Sequence, residues 1–150
     1  MESELPFRLD RRASFRFWSD EKLRFADLDL LGHVNNTAYA VFSESARIAF
    51  VEAHGCPAVT ETTMWVLARL TIDFIAPLRL DVGRIDVGTR PIRVGRSSVT
   101  FGQGMFVGGE RCAATAVAVG VLADRRTDRS TPLPEDFRRR LLDEAAGPSG

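Results

Sequence analysis

Residues 37–54 form a long run without glycine or proline, and this run constrains the possible folds more than any other feature of the chain. It predicts a helix that ends at Gly55 and Pro57. Val41 and Ile48 fall opposite an apolar stripe made by Tyr39, Phe42, Ala46, Phe50 and Ala53. A helix that is apolar on nearly all sides belongs in an interior. The rest of the chain must therefore surround it.

The segments after this helix carry the two-residue period of strands. In VLARLTIDFI the polar residues Arg69, Thr71 and Asp73 share one parity, and the predicted core side holds Val66, Ala68, Leu70, Ile72 and Phe74. Pro77 ends this strand. Three further strands follow, RIDVGTRPIRV, SSVTFGQGMFV and CAATAVAVGVLA, with turn signals at Gly95-Arg96 and Gly108-Gly109. This pattern predicts an antiparallel meander.

The two ends of the chain are less regular. Residues 1–14 are charged and aperiodic, which predicts a flexible leader or an edge arm. Residues 15–25, FRFWSDEKLRF, fit either one interrupted strand or a hairpin. Near the other end, PLPEDFRRRLLDEA predicts a short amphipathic helix after two prolines. We therefore expect a single domain over residues 15–142, with a disordered tail over residues 143–150.

Segregated helix and strand patterns place the chain in the α+β class. A single antiparallel sheet of about five strands can hide a helix that is apolar all round in two ways. The sheet can wrap round a long central helix, or a second copy of the chain can close the open side. The periodicity thus predicts a wrapped helix and points to a homodimer.

Composition excludes several classes of function. The chain has 150 residues and 20 basic side chains against 20 acidic ones, so it carries no broad charge for nucleic acid or an anionic membrane. No apolar run approaches the ~18 residues that span a bilayer. Two cysteines, Cys56 and Cys112, and no signal-peptide pattern predict a reduced, cytoplasmic protein. With two histidines and no clustered ligands, we expect no metal and no other cofactor.

Polar residues cluster where the chain enters the predicted helix. The segment RFADLDLLGHVNNTAY, residues 24–39, places acids, a glycine, a histidine and two asparagines before the apolar helix body. Asn35 or Asn36 can cap the helix. The first N–H groups of a helix lack partners and carry partial positive charge, so they stabilise an anion. Gly32 would let a ligand approach the backbone closely.

The residues of this segment and of the helix resemble a known family signature. Asp27-Leu28-Asp29, Gly32-His33-Val34-Asn35-Asn36, Tyr39, Glu44 and Arg47 look like the 4-hydroxybenzoyl-CoA thioesterase-like branch of the hotdog-fold acyl thioesterase superfamily. Pro77 and the PLP at residues 132–134 also fit, and the similarity covers residues 15–142. The resemblance implies a hotdog fold that hydrolyses an acyl thioester of coenzyme A or acyl carrier protein, in sites between two subunits.

The same resemblance implies roles for individual residues. It makes Asp29 the catalytic carboxylate, and it places the thioester oxygen at backbone N–H groups of residues 32–36. Plant acyl carrier protein thioesterases, which are similar, use an Asp-x-Asn-x-His arrangement. Here that pattern reads Asp29, Leu31 and His33, so its asparagine is absent. A mechanism that uses Asp29 with helical donors is favoured over one that needs this asparagine.

Each residue of the predicted site also has an alternative role. Asp29 can act as nucleophile or as general base on water, or it can simply cap a loop. His33 can hold the thioester or protonate the departing thiolate, or its ring can bond backbone carbonyls. Asn35 and Asn36 fit turn and cap roles, and Tyr39 fits the core or a pocket wall. Asp27, on the opposite parity from Asp29, is expected to be structural.

Charged residues elsewhere offer secondary candidates. Glu44 and Arg47 lie three apart on the helix and can form an ion pair. Some hotdog enzymes take their carboxylate from this helix, so Glu44 is the second-choice catalytic acid. Arginines in RPIRVGRSS and VGVLADRR can receive the phosphates of coenzyme A, or they are solvated strand ends.

The sequence thus predicts an acyl thioesterase that forms a homodimer, with a tetramer also open. The chain has no Gly-x-Ser-x-Gly motif, which argues against a serine hydrolase. A hydratase or dehydratase of the same architecture would carry a different Asp/His arrangement on the helix. A non-catalytic acyl-binding or assembly module is the alternative from another class, because such a module would not need Asp29 to face the start of the helix.

Overall fold

The computed structural model describes residues 5–146, and its strands form one antiparallel sheet. The elements in this range are β1 (Phe17–Lys22), α1 (Asn36–Ala53), β2 (Thr63–Phe74), β3 (Arg84–Val94), β4 (Ser98–Val107), β5 (Arg111–Asp124) and α2 (Glu135–Ala146). The strand order is β1-β3-β4-β5-β2. The predicted α+β class and the meander of β3, β4 and β5 are confirmed, and residues 15–25 hold one strand rather than a hairpin.

Helix α1 packs on one face of the sheet. The Asn35 side chain caps the helix by accepting from the Thr37 N–H at 3.0 Å, as predicted for one of the two asparagines. The predicted stripe from Tyr39 to Phe50 is buried and contacts the inward-facing side chains of the strands. On β5 these inward-facing side chains include Ala114 and Ala116, which leave room for the large aromatic side chains of the helix.

The side of α1 that faces away from the sheet is open. Val41 is 49% exposed and Ile48 is 41% exposed, so within the single chain the sheet covers one side of α1 and does not enclose the whole helix. The physical reason is that one sheet of this size covers only the stripe that faces it. Two apolar side chains are left on the uncovered side.

Strand β2 departs from its predicted burial. It lies at the edge of the sheet with β5 as its neighbouring strand, and a bulge between Leu67 and Arg69 shifts the register. Val66, Ala68 and Phe74 were expected in the core and are exposed, whereas Leu70 and Ile72 pack against the core as expected. The bulge changes the side on which successive residues lie, so one parity cannot hold along the whole strand.

The chain before β1 lies against the outer face of the sheet. The Phe15 side chain is 6% exposed and occupies the space beside Gly88, where a Cβ would approach Phe15 Cγ to 2.4 Å. The Arg12 guanidinium lies 4.3 Å from the Trp18 ring and donates to Asp86 at 3.1 Å. The described residues before β1 thus pack on this face as an arm. Residues 1–4 and 147–150 lie outside the described range, and α2 continues past residue 142.

His54 connects the two helices just after the end of α1. Its Nδ1 lies 2.7 Å from the Phe50 carbonyl oxygen, and its Nε2 lies 3.0 Å from a carboxylate oxygen of Glu144 on α2. The imidazole also stacks on the Phe50 ring. The hydrogen bond to Glu144 raises the pKa of His54, while burial and the nearby Arg140 act in the opposite direction. The charged imidazolium is therefore favoured in the folded state.

This contact predicts that stability falls as the pH rises. Because the folded-state pKa of His54 is raised, the stabilisation is fully present below the unfolded value of about 6.5 and is lost as pH rises through the higher folded value. We expect Glu144→Gln to remove this part of the pH dependence. Urea unfolding of both proteins at about pH 6 and about pH 8.5 measures it. Equal changes in the free energy of unfolding for the two proteins would contradict the assignment.

Candidate active site

The loop before α1 is a tight turn that begins at Asp29. The Asp29 N–H donates to the His33 carbonyl oxygen at 2.8 Å, and the Gly32 N–H donates to the Asp29 carbonyl oxygen at 3.1 Å. Gly32 has a φ of 76°, a left-handed conformation that favours glycine. Apart from the two adjacent residues, no atom of residues 5–146 lies within 4 Å of the place where its Cβ would be, so the turn rather than a close neighbour requires this glycine.

The Asp29 carboxylate has two different oxygens. Oδ1 accepts from the Leu31 N–H at 2.8 Å and from the His33 N–H at 3.1 Å. Within residues 5–146, Oδ2 has no hydrogen-bond partner, and the residue is exposed. One oxygen therefore braces the loop, and the other is open to a ligand.

Asp27 points to a different place from Asp29. It is 4% exposed, and its carboxylate accepts from the Arg24 N–H and from Arg24 Nη2, both at 2.8 Å. The side-chain hydrogen bond from Arg24 lowers the pKa of Asp27. Its carbonyl oxygen accepts from the Asn35 N–H at 2.7 Å. These contacts tie the loop to the start of α1, which agrees with the structural role expected for Asp27.

Most amides of the predicted oxyanion segment are already used within the chain. The Val34 N–H donates to the Leu78 carbonyl oxygen at 2.7 Å, and those of Gly32, His33 and Asn35 donate to Asp29 or Asp27. Across the range 5–146, the Asn36 N–H alone among residues 32–36 has no acceptor. We expected the N–H groups of residues 32–36 to be free to donate to a ligand. Among the described residues only that of Asn36 is free, because the tight turn and the Leu78 contact use the others.

A cavity of about 290 Å³ lies at the start of α1, and we call it the Asp29 cavity. Its lining consists of Asp29, His33, Val34, Asn36, Tyr39 and residues 74–77. The Tyr39 ring is 3% exposed and meets the Phe74 ring edge to face at 5.3 Å. Burial raises the pKa of Tyr39, so its hydroxyl keeps its proton at neutral pH. Asp29 and His33, the two predicted catalytic residues, both line this cavity.

Glu44 and Arg47 lie outside the Asp29 cavity and do not pair with each other. Within the described residues no carboxylate oxygen lies within 4.0 Å of Arg47, whose Nη1 donates to Ser43 Oγ at 2.5 Å. Glu44 is exposed, whereas Arg47 is 9% exposed. The predicted ion pair is wrong because the two side chains lie on differently buried sides of α1. Burial lowers the pKa of Arg47.

A polar network lies beneath α1, and the sequence analysis did not predict it. Ser43, Thr89 and Gln103 are fully buried, and Gln103 Nε2 donates to the Ser43 carbonyl oxygen at 3.0 Å and to Thr89 Oγ1 at 3.1 Å. A signal was present in the sequence, since Gln103 shares the inward parity of Phe101 and Met105. A glutamine among core residues indicates a buried hydrogen-bond network.

The arginines suggested for coenzyme A phosphates lie far from the Asp29 cavity in the same chain. β2 pairs with β5 so that Phe74 faces Ala114 and Thr63 faces Asp124. Arg125 and Arg126 follow Asp124, so they lie roughly 30 Å along the sheet from the cavity. Arg93 and Arg96 are near the β3–β4 turn at that same end. Arg90 is buried, and its guanidinium lies 3.5 Å from the Phe7 ring centre.

Metal binding and thiol chemistry have little basis in the described part of the chain. In residues 5–146 no three His, Cys, Asp or Glu side chains are grouped to hold a metal ion. Cys56 and Cys112 are free thiols, and burial raises the pKa of both. Over the same range, neither helix has the length and apolar character needed to cross a bilayer.

Comparison with known proteins identifies the family. Residues 23–141 match the model of the thioesterase-like superfamily. The chain belongs to this superfamily. This thioesterase-like chain is 24% identical over 140 residues to the uncharacterized protein YsmA of Bacillus subtilis strain 168, and the match covers 93% of each protein.

Solved structures agree with the family. The PA5185 protein from Pseudomonas aeruginosa strain PAO1 has 28% identity and a TM-score of 0.81, covering 89% of this chain and 94% of that one. A thioesterase from Thermus thermophilus, complexed with coenzyme A and zinc, has 30% identity and a TM-score of 0.70, covering 90% of this chain and 98% of that one. The predicted hotdog fold is confirmed, and thioesterase-like membership supports hydrolysis of thioesters in general terms.

Proposed function

We propose that this thioesterase-like protein hydrolyses an acyl thioester of coenzyme A, or of acyl carrier protein, to the free acid and the thiol. One observation carries the proposal. The open carboxylate oxygen of Asp29 and the unpartnered amide of Asn36 belong to residues that line the same cavity. The Thermus thermophilus thioesterase complexed with coenzyme A supports coenzyme A as the carrier. The residues that resemble the 4-hydroxybenzoyl-CoA thioesterase-like branch also support an acyl thioesterase.

In this proposal the start of α1 stabilises the charge that develops on the thioester oxygen. The Asn36 N–H donates to the carbonyl oxygen, and the helix dipole adds partial positive charge at the same place. One oriented donor can lower the barrier by ~3 kcal/mol. Tyr39 forms the wall against which the acyl group lies, and the Asn35 cap holds the first turn in position.

Asp29 supplies the attacking oxygen or prepares it. As a general base, the Asp29 carboxylate takes a proton from water while the water oxygen bonds to the carbonyl carbon, and the C–S bond then breaks. As a nucleophile, the carboxylate displaces the thiolate and forms a mixed anhydride, which water then hydrolyses. In both routes the departing thiolate takes up a proton, for which the His33 ring in the cavity lining is a candidate donor.

A second candidate function is a non-hydrolytic acyl-binding module. The specific observation in its favour is that Asp29 Oδ1 accepts from two backbone N–H groups. This contact braces the loop and needs no catalysis.

Release of free thiol separates the two functions. The wild-type protein is incubated with acyl-CoA thioesters of several chain lengths and head groups, and thiol release is followed together with calorimetric binding. Turnover of any member above the uncatalysed rate supports hydrolysis. Binding of the same thioesters without release would support the binding module instead.

We further propose that two copies of the chain associate through the open side of α1 and the free edge of β2. Val41 and Ile48 on the helix are exposed next to an edge strand that also exposes Val66 and Leu67. An unpaired edge with adjacent apolar side chains favours association with another chain. A second copy would cover the side of α1 that the sheet leaves open.

The dimer predicts a solution mass of twice 16.6 kDa by light scattering. Ile48→Glu places a charge on the proposed contact and is expected to shift the protein to monomer. Leu142→Glu on α2, where the leucine is 38% exposed, is the matched control and should remain dimeric. A wild-type protein with the mass of one chain would contradict the proposal.

A further inference from the structure

A second cavity of about 320 Å³ opens beside α1, and we call it the Arg47 cavity. Its walls are mostly apolar and come from α1, β2 and the neighbouring strands, with Ile48, Val51, Trp65, Val66, Leu67 and Phe101 among the lining side chains. Arg47 and Glu44 are the charged residues of this lining. An apolar space with one or two polar groups is the usual form of a small-molecule site.

Arg47 is a buried cation without a contacting counter-charge. It is 9% exposed, and within residues 5–146 its one side-chain hydrogen bond runs from Nη1 to Ser43 Oγ. A guanidinium has five N–H donors, so most of its donor capacity is unused. Glu44 favours the charged form of Arg47 from a distance but makes no ion pair with it. A buried charge left without a partner destabilises the fold, and a bound anion would offset that penalty.

The position of Arg47 relates its cavity to the proposed reaction. Asn36 and Arg47 are eleven positions apart on α1. At 100° per residue this separation returns to within about 20° of the same helix face, about 16 Å along the axis. Arg47 therefore lies on nearly the same side of α1 as Asn36, three turns farther along the helix.

We propose that Arg47 determines substrate specificity: the acyl group of the preferred thioester has an apolar body that occupies the Arg47 cavity and a terminal carboxylate that pairs with the Arg47 guanidinium. This inference rests on the proposed hydrolysis for its biological meaning. Ile48, Val66 and Leu67 also belong to the proposed contact between two copies, so in the dimer the cavity would open at that contact. Binding in the cavity can be tested without catalysis. Carboxylates are the natural partners because they accept two parallel hydrogen bonds from the guanidinium fork. A purely apolar acyl chain would fill the space and leave the cation unpaired.

Binding of free probes tests the cavity directly. Octanoate and octanol have the same apolar chain and differ in the charged head, so their calorimetric affinities compare the two cases. Wild-type protein should bind octanoate about tenfold more tightly than octanol, because a charged hydrogen-bonded pair forms with Arg47. Arg47→Met keeps an apolar side chain of similar length and should remove this preference. Arg16→Met, at an exposed arginine outside the cavity, is the matched control.

Two results would overturn the proposed role of Arg47. Equal affinity of the wild-type protein for octanoate and octanol would refute the proposal, and this measurement does not depend on the folding of any variant. A preference for octanoate that survives in folded Arg47→Met would refute it as well. Circular dichroism and light scattering establish that the variant keeps its fold and its solution mass.

Kinetics then separates this inference from the proposed function. The ratio of kcat/KM for an ω-carboxyacyl-CoA to that for the acyl-CoA of equal chain length should be about ten in the wild type and close to one in Arg47→Met. If the wild type hydrolyses neither thioester yet prefers octanoate, the proposed hydrolysis fails and the anion site stands. If it hydrolyses both equally and shows no octanoate preference, the hydrolysis stands and the specificity role of Arg47 fails.

Discussion

Replacement of Asp29 by asparagine is expected to lower kcat/KM for acyl-CoA hydrolysis by about 10³-fold while leaving the fold intact. The asparagine carbonyl oxygen can still accept from the Leu31 and His33 N–H groups, so the loop keeps its brace. It cannot act as a base or as a nucleophile at the acyl carbon. Asp29→Ala loses the brace as well, and we expect it to combine the catalytic loss with a destabilised loop.

Thiol release under single-turnover conditions measures the effect of Asp29→Asn, and urea unfolding checks that the fold is kept. Asp136→Asn, at an exposed acid in the first turn of α2, is the control and should retain wild-type turnover. Glu44→Gln tests the second-choice carboxylate on the same assay. Wild-type turnover in folded Asp29→Asn would remove the assignment, and loss confined to Glu44→Gln would transfer it to the helix.

Phe15→Ala is expected to lower the free energy of unfolding by about 3–4 kcal/mol, the usual cost of deleting a buried phenylalanine ring. The ring is packed beside Gly88 and meets the rings of Trp18 and Phe106 edge to face, at 5.7 and 6.1 Å between centres. Its removal leaves a void on the outer face of the sheet. For a chain of this length the loss corresponds to a decrease in Tm of roughly 10 °C.

Phe25→Ala is the matched control, because that ring is 82% exposed and its removal should change stability by less than about 0.5 kcal/mol. Gly88→Ala should act in the same direction as Phe15→Ala, since its Cβ would overlap the Phe15 ring. If Phe15→Ala costs no more than Phe25→Ala, the arm does not contribute to packing. Residues 5–14 would then not form a packed arm.

The secondary structure could be predicted because its signals are local. A run without glycine or proline produced α1 within one residue of its predicted ends, and the turn signals at Gly95-Arg96 and Gly108-Gly109 separate the strands as expected. Each of these features depends on residues a few positions apart. Burial along β2 could not be predicted in the same way, because its bulge and its edge position depend on pairing with β5.

The candidate site likewise has features that the sequence could predict and features that it could not. Asp29, His33 and Asn36 lie within eight consecutive residues, so a sequence motif could group them. Which N–H stays free at the start of α1 depended on the tertiary structure, because the Val34 N–H donates to Leu78, a residue far away in the chain. The environment of Arg47 depended on Ser43, Gln103 and the strands beneath the helix. A pattern of spacing does not contain that information.

By itself, the sequence determined the helix, the strands and the acid-bearing loop that precedes the helix, because backbone conformation and hydrophobic period are set by near neighbours. Only the tertiary structure decided which side of α1 stays uncovered, which amide keeps a free hydrogen and which cation is buried without an acid. Burial and hydrogen-bond partnership are properties of groups brought together from distant parts of the chain. They exist only once the sheet and the helix have packed.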